Sequence, residues 1–210
     1  MAFVRARTRL APVPLVPEIA LWQATDVTPL WHATAGELVG WDDAPYWAFP
    51  WAGGQALARH LLDQPGLVRG RRVFDFATGS GLVAIAAVRA GAAEAVAADV
   101  DPFCAAAVRL NAEANRVAVG FRAGDALGDP LDGFDVVLAG DVFYERALAE
   151  AALPWLAAAA RRGLTALVGD PGRNYSPPAG LREIAAYDVP TPLEIEDRAV
   201  RRTRVLEVLP

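Results

Sequence analysis

Residues Val73 to Gly81, VFDFATGSG, constrain the fold of this chain more than any other segment. Apolar residues and one Asp run into a turn of small residues, Ala77-Thr78-Gly79-Ser80-Gly81, and the apolar stretch LVAIAAVRA follows at once. This order predicts a buried strand, a tight turn and a helix N-terminus. Small residues let a backbone approach a ligand, and a helix start offers free N–H groups. The next apolar run, AVAAD, ends at Asp99, twenty positions after Gly79. A glycine turn followed by an acidic strand end is how a doubly wound α/β sheet grips a nucleoside.

The rest of the chain fits that unit. Residues 1–54 form a preamble rich in Pro and Trp, expected to pack on a core of residues 55–210 within one domain. Val13 to Trp22 can hold short strands, and Trp41 to Gly54 is an aromatic loop. Gln55 to Asp63 has helical spacing, with Leu57, Leu61 and Leu62 on one side. Strands are expected near 72–77, 94–99, 117–123, 134–140 and 164–169, with two last ones near 183–189 and 202–208. Helices are expected over 81–90, from Pro102 to Asn115, and over 145–161 with Pro154 inside. Residues 170–182 read as a polar loop with room for a short helix. Apolar strands between helices imply a mostly parallel, seven-stranded α/β sheet covered on both faces. Ligands then sit beyond the carboxyl ends of the strands. Four acidic residues fall there in turn: Asp75, Asp99, Asp125 and Asp141.

Composition narrows the classes. A net charge of −5 argues against a dedicated nucleic-acid binder, which needs a basic face. Every basic residue is Arg and no Lys occurs. Cys104 stands alone, so no disulfide or thiolate metal framework forms within the chain, and His32 and His60 are far apart, so no metal is expected. No apolar run reaches membrane-spanning length, and Pro12, Pro14 and Pro17 break the N-terminal apolar stretch, so no membrane partner and a cytoplasmic location are expected.

Two cofactors compete for the turn. Gly79-Ser80-Gly81-Leu82-Val83-Ala84 satisfies the dinucleotide pattern, with Asp99 placed to hold a ribose. Against that reading stands Asp75 in the strand feeding the turn, since a carboxylate repels a pyrophosphate and attracts an ammonium. Asp-x-x-x-Gly-x-Gly resembles the first motif of the class I, seven-β-strand S-adenosylmethionine-dependent methyltransferases. That family usually has Gly where this chain has Ala77. The resemblance implies S-adenosyl-L-methionine as cofactor. It places Asp75 near the methionyl ammonium and the backbone of Ala77, Thr78, Gly79, Ser80 and Gly81 around the methionyl end. Asp99, with Val100 beside it, meets the ribose. Asp125 and the N–H of Ala126 meet the adenine. Trp51 either packs in the core or lies over the cofactor, the latter being the family's arrangement.

After the fourth strand comes Asp141-Val142-Phe143-Tyr144. Asp-x-x-Tyr resembles the D-x-x-[YF] group of protein lysine and histidine methyltransferases. Pro45 to Leu62 (PYWAFPWAGGQALARHLL), Asp99 to Pro102 and Asp141 to Glu145 together resemble the enzymes that methylate lysines of the electron-transfer-flavoprotein β-subunit. That resemblance covers roughly residues 40–175. It implies Asp141 as the residue that holds the amine nitrogen, and it makes the flavoprotein β-subunit the expected partner. Asp141 also belongs to the expected cofactor contacts. The rings of Tyr144, Phe143 and Trp47 are candidates to stabilise the charge arriving on nitrogen. Gly169 to Arg173, GDPGR, recurs in these relatives without an assigned role. A methyltransferase of a ribosomal protein or small amine, and an NAD(P)-dependent oxidoreductase, stay open as alternatives.

Overall fold

The computed structural model describes residues 1–24, 44–193 and 196–210. His32 and residues 41–43 of the aromatic loop lie outside the described residues. After helix α1 (Ala2–Arg7), strands β1 (Arg9–Val13) and β2 (Val16–Gln23) form an antiparallel hairpin. Helix α2 (Ala52–Asp63) leads into the alternating part: β3 (Arg72–Phe76), α3 (Leu82–Arg89), β4 (Glu94–Asp99) and α4 (Pro102–Asn115). There follow β5 (Gly120–Ala123), β6 (Val136–Gly140), α5 (Arg146–Arg161), β7 (Thr165–Asp170), β8 (Leu181–Pro190) and β9 (Val200–Val208).

Seven strands form one sheet in the order β5-β4-β3-β6-β7-β9-β8. The first five are parallel, and β9 runs against both β7 and β8. Strand β3 is central, and Val73 through Phe76 are all buried, as expected for a strand covered on both faces. One face carries a core of Val73, Leu138 and Leu167 with helices α2 and α3; the other carries Phe74, Val137 and Leu156 with α5. The hairpin is sewn to α4 by side-chain amides. Asn111 Oδ1 accepts from the Trp22 N–H at 2.7 Å, and Asn115 Oδ1 from the Ala20 N–H at 3.1 Å.

Local chemistry sets the element ends. Asp101 caps α4 by accepting from the Phe103 N–H at 2.7 Å, with Pro102 at the first helical position. Strand β5 starts at Gly120, later than the expected 117, because the end of α4 claims the intervening donors. Arg116 turns left-handed at φ 58°, and the Val117 N–H donates back to the Ala112 carbonyl. The Phe134 N–H is likewise used in a turn, on the Leu131 carbonyl, so β6 begins at Val136. Residues 171–180 form turns without a helix. Among the described residues no helix is long and apolar enough to cross a membrane.

Candidate active site

The carboxyl ends of β3, β4 and β6, with the turn after β5, open on one cavity of about 460 Å³. That size suits a small-molecule site. Asp75, Asp99, Asp125 and Asp141 all line it. So do Trp51, Ala77, Thr78, Gly79, Ser80, Val100, Ala126 and Tyr144. Of the expected cofactor contacts, Gly81 alone is off the wall. It caps α3 at φ 83°, and a Cβ there would meet Val108 at 3.1 Å, so it serves close helix packing.

The glycine turn is organised by two carboxylates. Asp75 is 1% exposed, and its Oδ2 accepts from Thr78 Oγ1 at 2.5 Å and from the Ala84 N–H at 3.1 Å. Its Oδ1 is buried without a hydrogen-bond partner among the described residues. Burial pushes the Asp75 carboxyl up to about 7, against the Thr78 and Ala84 hydrogen bonds, and nearby Asp99 adds to the rise. An orphaned acceptor on a cavity wall calls for a cationic or hydrogen-bonding group. Asp99 Oδ2 accepts from the Gly79 N–H at 2.9 Å and Oδ1 from the Asp101 N–H at 3.0 Å. Each oxygen keeps acceptor capacity for hydroxyl groups in the cavity. Asp125 Oδ1 accepts from the Leu127 N–H at 2.8 Å in a tight turn. Ala77 holds a left-handed φ of 50°, at the place where glycine is usual.

Asp141 is placed differently. It sits just past β6 at φ 58°, a conformation Asp tolerates better than most residues, and its N–H donates to the Gly169 carbonyl at 2.9 Å. Its Oδ2 accepts from the Gly54 N–H at 3.1 Å, in the first turn of α2, where the helix dipole favours negative charge. Its Oδ1 accepts from two nitrogens of Arg173, at 2.9 and 2.7 Å. Burial raises the Asp141 carboxyl above its ordinary range, with Arg173 opposing the rise. Arg173 also donates to both carboxylate oxygens of Glu196, at 3.0 and 2.7 Å. Burial works to lower the Arg173 pKa, but Asp141 and Glu196 outweigh it and raise it. Arg173 and Glu196 were not among the expected site residues. The Gly169–Arg173 segment thus has a role: it delivers a guanidinium to the cavity wall.

Close backbone contact makes this possible. A Cβ on Gly53 would strike the Gly169 carbonyl and lie 2.5 Å from Asp141 Oδ2, and one on Gly140 would lie 3.0 Å from Gly54. The Gly53-Gly54 pair therefore lets α2 press against the ends of β6 and β7. The aromatics divide. Trp51 lines the cavity, donates from Nε1 to the Tyr46 carbonyl at 2.9 Å, and has the Arg173 guanidinium 5.7 Å from its ring. Tyr144 is 41% exposed at the mouth, its ring 5.3 Å from Tyr46. Trp47 and Phe143 are fully buried, Trp47 stacking on Phe103 at 6.1 Å, and neither lines the cavity. They are core residues and do not reach an incoming amine. No group of three metal-ligating side chains occurs among the described residues.

A parallel βαβ sheet with one reversed strand next to its edge, and acidic strand ends around one cavity, defines the class I methyltransferase fold. The sequence model of the ribosomal protein L11 methyltransferase (PrmA) family matches residues 56–142. A solved ribosomal protein L11 methylase from Lactobacillus delbrueckii subsp. bulgaricus shares the fold, with a TM-score of 0.54 at 21% identity over 75% of this chain and 79% of that one. The chain is 41% identical to the electron transfer flavoprotein beta subunit lysine methyltransferase of Xenopus laevis, over 82% of this chain and 70% of that protein. It is 37% identical to the protein so named in Danio rerio, over 91% of this chain and 76% of the relative. The chain belongs to this family of lysine methyltransferases.

Proposed function

We propose that the chain binds S-adenosyl-L-methionine in the cavity and transfers its methyl group to a lysine of the electron-transfer-flavoprotein β-subunit. The observation that carries the reading is the cavity itself: four strand-end carboxylates around one space, with Tyr144 at its mouth. Asp75 Oδ1 offers the buried acceptor that an α-ammonium group needs. Asp99 has acceptors for both ribose hydroxyls, and Asp125 with the Ala126 N–H reads the adenine edge. The turn Ala77–Gly81 gives backbone room for the methionyl end, and Val100 and Trp51 supply apolar contact. A nicotinamide dinucleotide would set its pyrophosphate against Asp75, so the oxidoreductase alternative is disfavoured.

When bound, S-adenosylmethionine would supply an electrophilic methyl group, which an amine lone pair could take by forming the N–C bond as the S–C bond breaks with its electrons on sulfur. Asp141 accepts a hydrogen bond from the nitrogen and aims its lone pair, and water carries off the proton. Tyr144 lies at the mouth, where an aromatic face stabilises nitrogen as it becomes positive, by about 1–2 kcal/mol when desolvated. Alignment of nitrogen and methyl group supplies much of the rate. The acceptor is a folded protein and not nucleic acid, in keeping with the net charge of −5.

The test is tritiated-methyl transfer into purified flavoprotein β-subunit, ribosomal protein L11 and total RNA in parallel. Label is expected on a lysine of the flavoprotein. Since this chain has no lysine, self-labelling cannot mimic that result. Label confined to RNA, or surviving lysine substitution in the acceptor, defeats the reading, and label on the ribosomal protein alone redirects it.

A further inference from the structure

An amine acceptor has a proton problem that Asp141 by itself makes worse. A lysine ammonium has no lone pair, and its free pKa is about 10.4. An uncompensated carboxylate beside it holds it charged. Here the Asp141 carboxylate is compensated. The Arg173 guanidinium grips Oδ1 with two nitrogens at 2.9 and 2.7 Å while itself lining the cavity. Arg173 is shared with buried Glu196, and Glu196 is paired with Arg201 of β9 at 2.7 Å. The row alternates in sign, and its four buried or half-buried members cancel; Arg201 also meets the exposed carboxylate of Asp197 at the far end. Asp170 at the end of β7 accepts from the Arg173 backbone N–H at 3.0 Å, and its own charge is met by Arg204 of β9 at 2.7 Å. Asp75 lines the other side of the same cavity, and Tyr144 its mouth.

We propose that Arg173 is a positioning residue that sets the proton state of the acceptor amine. By cancelling the Asp141 charge, it lets that carboxylate orient the nitrogen without stabilising its ammonium form. The proposal rests on the amine-methylation reading above. The guanidinium is suited to this task because it cannot surrender its proton, and its planar fork fixes the carboxylate plane. Glu196 keeps the fork from swinging away, and Trp51 flanks it.

The experiment is the pH profile of kcat at saturating purified flavoprotein β-subunit, from about pH 6 to about pH 10, because turnover of the complex reports the amine once it is bound beside Asp141. Wild type, Arg173→Gln, Arg173→Lys and Glu196→Gln are compared, and the melting shift with S-adenosylhomocysteine shows that each is folded and loaded. Arg173→Gln should move the acid limb up by about one pH unit, a roughly tenfold loss at neutral pH that recovers in alkali. Arg173→Lys retains a cation and should keep the wild-type midpoint with a lower kcat. Glu196→Gln removes a negative charge and should move the acid limb the opposite way, down. An equal fractional loss at every pH in Arg173→Gln, with an unchanged midpoint, overturns the proposal. If Arg173→Gln fails to fold, Glu196→Gln decides: an unchanged or upward midpoint overturns it and a downward one supports it. Wild type that labels no lysine at any pH overturns the function reading, and this proposal with it.

Discussion

At the glycine-turn end of the cavity, Asp75 and Asp99 are held by the N–H groups of Ala84, Gly79 and Asp101 and by the Thr78 hydroxyl. At the other end, Asp141 takes one backbone N–H, from Gly54, and on its other oxygen is held by a guanidinium 32 residues away, itself held by Glu196 a further 23 residues on. Backbone donors come with the strand-turn-helix path whatever side chains surround it. A guanidinium arrives only if β6, β7 and β9 pack in register. The first arrangement suits a ligand whose shape never changes. The second suits a substrate end, where one residue can be tuned without rebuilding the turn.

The sharpest way to break the comparison is Asp141→Ala. Removing an orienting contact made in the transition state should lower kcat by about 100- to 1000-fold, while S-adenosylhomocysteine still shifts the melting temperature. Loss of both activity and cofactor binding would merge the two ends into one site. Full activity on the protein acceptor would take Asp141 out of the mechanism.

Asp75 tests the cofactor end through pH. Its folded pKa, raised to about 7 by burial, lies above an unfolded value of about 3.9. The folded state therefore binds the extra proton, so the stability that Asp75 itself contributes to the cofactor-free protein is fully present below the unfolded value. That contribution, on the order of a few kcal/mol, is lost as pH rises through about 7. An ammonium bound at Asp75 lowers that pKa, so the stabilisation by S-adenosylhomocysteine should grow between about pH 5 and about pH 8. Melting curves with and without ligand check this, against Asp75→Asn, whose curve should be flat over the same window. A wild-type ligand effect independent of pH would move the ammonium away from Asp75.

Asp99→Ala should act on cofactor binding and on the turn, and not on the methyl-transfer step. Two backbone N–H groups lose their acceptor, and the ligand loses its hydroxyl partner. Affinity for S-adenosylhomocysteine should fall by about 1.5–3 kcal/mol in calorimetry, with the protein folded. Unchanged affinity would place the ribose contact elsewhere.

The same contrast explains what could be read in the chain. The parallel strands, the Asp101-Pro102 helix start and the four strand-end carboxylates follow from local periodicity and turn chemistry. Arg173 and Glu196 carry no such signal, because their meaning is a tertiary meeting of three elements. The nearest clue was glycine placement: Gly53, Gly54, Gly140 and Gly169 are small because two backbones touch there. Trp47 and Phe143 lie beside Trp51 and Tyr144 in sequence yet face the core, because aromatic content alone does not reveal which way a loop turns.

The smallest expected effect concerns the one residue of the glycine turn that departs from the family pattern. Ala77 holds φ at 50°, where a Cβ crowds the carbonyl and costs about 1–2 kcal/mol. Ala77→Gly removes that crowding and returns about 0.4–1 kcal/mol to unfolded-chain entropy. The net is a gain of about 0.5–1 kcal/mol, or a rise of about 1–3 °C in Tm for a chain of this size. Binding of S-adenosylhomocysteine should change by less than about twofold, since the turn is fixed by Asp75 and Asp99 and not by the Ala77 methyl. Differential scanning calorimetry with and without ligand measures both. A lower Tm would mean that the methyl packs well enough to outweigh its strained backbone. A large loss of affinity would mean that the left-handed Ala preorganises the turn, and the cofactor end would then depend on a side chain as the Asp141 end does.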